Sequence, residues 1–383
     1  MIKRPEMALL PTGLKDVLPP DANHEASTGE TLLSRIGLSG YERVKPPLVE
    51  FEDGLTSGTV YGTPQQSFRL MDPMSQRMMA LRSDVTPQVA RIATTRLAEA
   101  PRPLRLSYSG DVMRVKGSEL RPERQFCQVG FELIGPSVVS GDAEVILLAA
   151  EALDYVGVEN LSVDLNASSL VTAVVNELSL PSNKLSSLLE AIERKDESSV
   201  CSIAGESAHS LISLLNVAGS AATALDRLAK ISLPPEAHKE ASILVEVAEL
   251  VIKGAPNLVI TVDPVEHRSF EYHTGIGFTF FAKGIRGELG RGGRYTLERN
   301  GASESATGCT LYLDSVMRAM PEKLPEKRVF IPSGVARAVH KNLMAEGWIT
   351  IAGLEEVDDV AAEASRLNCS HFWIDNSINS VNF

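Results

Sequence analysis

A run of alternating apolar residues at 276–281, followed shortly by Gly290, Gly292 and Gly293, constrains this chain more than any other stretch. The period-two spacing of Ile276, Phe278 and Phe280 predicts a half-buried strand. The clustered glycines predict a turn whose backbone comes close to a ligand, because a residue without a Cβ leaves room there. The same stretch carries Arg268, Tyr272, His273, Arg294 and Tyr295, the side chains of a polar pocket. A G-x-x-x-x-G-K-[ST] phosphate loop is absent, which favours a glycine turn at a pocket edge.

A second strand follows from RQFCQVGFELIG at 124–135. Strand side chains alternate between faces, so Cys127, Val129, Phe131 and Leu133 point one way and Gln128, Gly130 and Glu132 the other. The polar set is either a solvated sheet face or the floor of a site, and the strand alone leaves both open. Upstream, Pro46 and Pro47 force residues 40–51 into an extended, edge-prone conformation. Residues 68–82 read as a hairpin turning at 72–75, and Thr86 as the N-cap of a helix with Pro87 at its first position. Residues 104–114 form another strand, and Asp142 caps a helix over 143–156. A helix near 27–36 is left undecided.

The chain divides into a core of residues 1–166 and 254–320, interrupted by a purely helical insertion at 167–253. A hinge at 321–327 leads to a small βαβαβ domain at 328–383. With 383 residues, two or three domains are expected. No run approaches the length of a membrane span and the start lacks a signal-like apolar segment, so the expectation is a cytoplasmic protein. Four cysteines without C-x-x-C spacing and seven dispersed histidines predict neither disulfides nor a metal site. A net charge of −12 argues against a nucleic-acid partner, whose phosphates draw basic surfaces.

Four segments together, LRSDVT, RQFCQVGFE, R-x-x-E-Y and GRGGRYT, resemble the histidine-recognition elements of histidyl-tRNA synthetases across residues 10–320. The resemblance implies an α+β class II synthetase fold, an antiparallel sheet of six or seven strands flanked by helices. It also implies dimerisation through 40–51, and a tail that is a shortened anticodon-binding-like domain. By resemblance the histidine-binding residues are Asp84, Thr86, Arg114, Gln128, Glu132, Arg268 and Tyr272. Asp84 and Thr86 would hold the ammonium, Gln128 and Glu132 the amino group and imidazole, Arg268 the carboxylate, and Tyr272 the pocket wall. Arg114 matches the phosphate-binding arginine of the second class II motif.

The ATP half departs from that pattern. The second motif reads Met113-Arg114-Val115-Lys116, with lysine where the family places the adenine-supporting glutamate. The third places Ser315 where the family has its phosphate-clamping arginine, and Tyr312 where a glycine leaves space. Serine cannot replace a bidentate guanidinium, and one lost transition-state clamp costs about 3–4 kcal/mol. The combination resembles the regulatory subunits of ATP phosphoribosyltransferase. These are synthetase-like paralogues without catalytic residues or cofactors of their own that assemble with a short-form catalytic subunit for the first step of histidine biosynthesis. Feedback inhibition by histidine is the further role the resemblance implies. An active histidyl-tRNA synthetase, or another synthetase-like paralogue, is the alternative reading.

Overall fold

The computed structural model describes residues 10–56, 66–117, 121–178, 180–205, 208–266, 274–299, 301–322 and 326–381. The chain forms two compact units, Met1–Pro321 and Glu322–Phe383. In chain order the first unit opens with α1 (Asp21–Gly37), β1 (Glu42–Arg43), β2 (Val49–Phe51), α2 (Glu52–Thr56), β3 (Arg69–Met71), β4 (Met78–Leu81) and α3 (Thr86–Thr94). It continues with β5 (Leu104–Met113), β6 (Gln125–Gly135), α4 (Val139–Tyr155) and β7 (Leu161–Ala167). Next come α5 (Ser168–Glu177), α6 (Ser182–Glu193), α7 (Glu197–Ala204), α8 (Ala208–Leu215), β8 (Gly219–Ser220), α9 (Ala221–Leu228) and α10 (Pro235–Gly254). It closes with β9 (Val259–Val262), β10 (Ile276–Ala282), β11 (Gly290–Arg299), β12 (Ala302–Tyr312) and α11 (Leu313–Ala319).

Among the described residues the main sheet has nine strands in the order β1-β5-β6-β12-β11-β10-β7-β9-β8, against the six or seven expected. Its centre, from β5 to β7, is antiparallel throughout. The margins are mixed, since β1 runs parallel to β5 and β9 parallel to β7. A parallel neighbour requires a crossover, and the helices between β7 and β9 supply it. The segment 167–253 is therefore not purely helical, because β8 joins the sheet edge beside β9.

Two cores sandwich the sheet. Val129, Phe131, Leu133, Phe278 and Phe280 pack with Leu32 and Ile36 of α1, Val145 and Ala149 of α4, and Val247 and Val251 of α10. On the opposite face Val85, Val89 and Ala93 cover Leu106, Ile134, Leu297 and Ala306. The polar set of β6 lies under this second layer, so it is a buried surface and not a solvated one.

Local signals misplace several features. Gly290, Gly292 and Gly293 lie inside β11, paired on both sides, and form no turn. A Cβ on Gly292 would overlap the Gly308 carbonyl and the Phe278 ring, which is the cross-strand reason for glycine there. Residues 40–51 break into two short strands, because Pro46 and Pro47 have no N–H to give a ladder. Their carbonyls instead accept from Arg82 Nη1 at 3.2 Å and Gln88 Nε2 at 2.7 Å. Neither Thr86 nor Asp142 is a cap, since Val85 and Val138 occupy those positions.

The second unit contains β13 (Arg328–Ile331), α12 (Arg337–Ala345), β14 (Ile349–Ala352), α13 (Val360–Arg366), β15 (His371–Ile374) and β16 (Ser377–Ser380). Its sheet order is β14-β13-β15-β16, with β16 closing a hairpin on the βαβαβ pattern.

Candidate functional site

Cross-strand register assembles the site from residues far apart in sequence. One row across the sheet reads Glu132, Gly308, Gly293, Gly277 and Asn166, so three adjacent strands present no side chain. The neighbouring row reads Tyr108, Gly130, Thr310 and Arg291. Glycine is needed at 308 because a Cβ there would overlap the Glu132 carboxylate. It is needed at 130 because the Tyr108 ring lies across that position.

Glu132 is the hub. Its Oε1 accepts from Thr86 Oγ1 at 3.1 Å and Tyr108 OH at 3.4 Å, and its Oε2 from Tyr295 OH at 2.8 Å. Tyr108 OH also meets Thr310 Oγ1 at 2.8 Å and Thr86 Oγ1 at 3.1 Å. Asp84 Oδ1 accepts the Thr86 backbone N–H at 3.0 Å, which aims the Thr86 hydroxyl inward at the start of α3. Gln128 accepts the Val85 N–H at 3.0 Å, while its buried Nε2 has no hydrogen-bond partner among the described residues. An unmade buried donor of this kind costs about 1–3 kcal/mol, so an incoming acceptor would be favoured. Arg114 donates from Nε to the Ser83 carbonyl at 3.4 Å, with its guanidinium 5.1 Å from the centroid of the Phe126 ring.

The structure thus brings Asp84, Thr86, Gln128 and Glu132 together. Arg268 and Tyr272, with His273, lie outside the described residues. Tyr108, Tyr295 and Thr310 complete the hydroxyl shell. Tyr295 adjoins the glycine cluster and the alternation of β5 fixes the face of Tyr108, but only strand register shows that both reach Glu132.

Burial pushes the Glu132 carboxyl up to about 8 from 4.5, with the Tyr295 and Thr86 hydroxyls opposing and Asp84 adding to the rise. A carboxyl raised on folding stabilises most fully below its unfolded value, and that contribution is lost as pH climbs to the folded one. Stability should therefore decline between pH 4.5 and about 8 through this group. Glu132→Gln should flatten the decline in denaturant unfolding followed by circular dichroism over that range. An identical pH slope in the two proteins would refute the assignment.

The third-motif positions are filled from within the chain. Ser315 is buried and its hydroxyl accepts from Arg121 at 2.8 Å and Arg318 at 2.9 Å. Tyr312 is likewise buried, edge-on to Phe126 with ring centroids 5.7 Å apart. Lys116 is exposed and is not drawn into this group.

An antiparallel sheet with a polar face, a covered carboxyl hub and a row of glycines defines a protein of the class II synthetase-like type. The family model described as histidyl-tRNA synthetase matches residues 13–316. An ATP phosphoribosyltransferase regulatory subunit from Rhodospirillum centenum is 50% identical over 377 residues, covering 98% of this chain and 97% of the relative. One from Paramagnetospirillum magneticum is 50% identical over 371 residues, covering 97% of each. A solved ATP phosphoribosyltransferase regulatory subunit/histidyl-tRNA synthetase from Bacillus halodurans has a TM-score of 0.81 at 23% identity, covering 95% of this chain and 97% of that one. A Thermotoga maritima ATP phosphoribosyl transferase (HisG:HisZ) complex structure has a chain with a TM-score of 0.59 at 16% identity, covering 76% of this chain and 97% of that one. Both structures are similar in fold. The chain belongs to the family of ATP phosphoribosyltransferase regulatory subunits.

Proposed function

We infer that this chain is the non-catalytic regulatory subunit of an ATP phosphoribosyltransferase, acting with a catalytic subunit in the first step of histidine biosynthesis. The observation that carries the reading is its 50% identity, over nearly the full length of both chains, with relatives of that name. The third-motif positions agree with it, since residue 315 is a serine whose hydroxyl is taken up by Arg121 and Arg318. Among the described residues no helix is long and apolar enough to cross a membrane, and a cytoplasmic setting is part of the proposal.

Histidine is the proposed ligand of the Glu132 pocket, with feedback inhibition as its consequence. The unpartnered Gln128 Nε2 and the side-chain-free glycine row support an incoming small polar molecule. Asp84, Thr86, Gln128 and Glu132 would bind its polar groups. Arg114 is assigned to the same site, and Arg268 and Tyr272 would close over the carboxylate and ring. Self-association as a dimer through residues 40–51 is proposed as well, in keeping with the prevalence of twofold homo-oligomers.

The test is reconstitution with a short-form catalytic subunit. Phosphoribosyl-ATP formation should require this chain, and equal activity without it would defeat the reading. Histidine should inhibit the complex, and Glu132→Ala should move the inhibition curve to higher concentration by about 5–150-fold, the equivalent of about 1–3 kcal/mol for an unmade buried contact. An unmoved curve would place the inhibitory site elsewhere. Before the catalytic subunit is added the chain should sediment as a dimer; a monomer at micromolar concentration would remove that element. Histidine-dependent ATP–pyrophosphate exchange would instead support the synthetase alternative.

A further inference from the structure

Thr310 lies on the polar face of β12, opposite Gly130 on one side and Arg291 on the other. Its hydroxyl has one hydrogen-bond partner among the described residues, the Tyr108 OH at 2.8 Å. Tyr108 OH in turn reaches Thr86 Oγ1 at 3.1 Å and Glu132 Oε1 at 3.4 Å. Thr86 Oγ1 meets that same carboxyl oxygen at 3.1 Å. All four residues are buried, so water does not complete these contacts for them.

A hydroxyl has one proton to give, so the direction of this series follows from a count. Tyr108 is the acceptor within reach of the Thr310 proton, and a buried donor left without an acceptor is costly. Tyr108 therefore accepts from Thr310 and gives its own proton to Thr86 or directly to Glu132. By either branch donation ends on the carboxyl, which Tyr295 OH meets from its other side at 2.8 Å. Donors in a buried series strengthen one another, and bonds to the charged form of a carboxyl favour that form. Burial and the Asp84 carboxylate oppose them and push the Glu132 carboxyl up. Tyr41 and Cys309 also feel the Glu132 charge, from outside the series.

We propose that Thr310 is a positioning residue for ligand recognition: its hydroxyl heads a one-way series of donors that keeps Glu132 an acceptor, so that the pocket engages a ligand through a cationic N–H group, an ammonium or an imidazolium. The proposal rests on the reading of the Glu132 pocket as the ligand site, and adds to it a residue that acts through Tyr108 and Thr86. Valine matches threonine in shape, so only the hydroxyl distinguishes the two at this strand position.

The experiment follows denaturant stability of the full-length protein across the pH range in which Glu132 titrates. Thr310→Val removes the first donor, so Glu132 should hold its proton to higher pH. A carboxyl raised on folding loses its contribution as pH climbs through the folded value. The decline in stability should therefore extend upward by about half a pH unit, a threefold change in proton affinity. Thr310→Ser should keep the natural profile, and Thr310→Val should leave the profile unmoved in a Glu132→Gln background. Histidine affinity near neutral pH, measured calorimetrically on the same samples, should fall about threefold in Thr310→Val. Should Thr310→Val not fold, Thr310→Ala carries the same test. Profiles unchanged by losing the hydroxyl would overturn the proposal, as would a shift that persists with Glu132→Gln or a serine variant that behaves like the valine one. Failure of every sample to bind histidine, the natural protein included, would instead defeat the functional reading, while the pH profiles still decide the role of Thr310.

Discussion

Replacing Asp142 by alanine is expected to destabilise the first unit by about 3 kcal/mol, the lower end of the cost of breaking a buried pair, since Arg294 stays partly exposed and keeps its bonds to Val138 and Ser305. Asp142 is fully buried in the first turn of α4. Its Oδ2 accepts from Arg294 Nη2 at 2.6 Å and Nε at 3.3 Å, and its Oδ1 from Thr307 Oγ1 at 2.7 Å. Burial raises the carboxyl above its ordinary value in spite of the guanidinium and the hydroxyl beside it. Desolvation therefore outweighs attraction, and the pair is costly to break without being a large net stabiliser. Asp142→Leu combined with an Arg294→Met change should recover most of the loss. Tryptophan fluorescence would miss the effect, because Trp348 and Trp373 both lie in the second unit. Denaturant unfolding followed by far-ultraviolet circular dichroism is the suitable measurement. A loss below about 1 kcal/mol would show that α4 is not fastened to β11 and β12 through this contact.

Gly308→Ala should be comparably severe, at about 3 kcal/mol or more, because overpacking is joined by displacement of a bonded carboxyl. The added methyl would overlap both Glu132 carboxylate oxygens, which have nowhere to retreat among Thr86, Tyr108 and Tyr295. The variant should lose stability and, in the reconstituted complex, respond less to histidine, while Gly301→Ala in the β11–β12 hairpin meets open space. Gly301 has φ near 76°, so that control bears backbone strain but no clash. A Gly308→Ala protein as stable as the natural one would mean that the carboxyl is not held where it is placed.

The contrast between those two glycines shows how far the sequence could be read. Alternation in 124–135 assigned Gln128 and Glu132 to one face of β6 correctly, because side-chain direction along a strand is a local, period-two property. The strands 104–113 and 276–282 and the α/β pattern of the tail were legible for the same reason. Gly290, Gly292 and Gly293 looked like a turn because glycine reports that a side chain is excluded, without saying whether conformation or a neighbour excludes it. At Gly290 and Gly292 the neighbour does, and it belongs to β10 or β12.

Asp142 likewise carries the chemistry of a helix cap, yet its partner Arg294 comes from β11, far along the chain. Thr86 carries the same ambiguity, and Glu132 resolves it by drawing the hydroxyl inward. Sequence alone determined which residues could face a ligand and that the third-motif guanidinium was missing. Tertiary structure alone decided which tyrosines reach Glu132, and that Arg121 takes up the Ser315 hydroxyl. Those contacts depend on cross-strand register and on the meeting of distant segments, which follow from packing the whole sheet and from no local period.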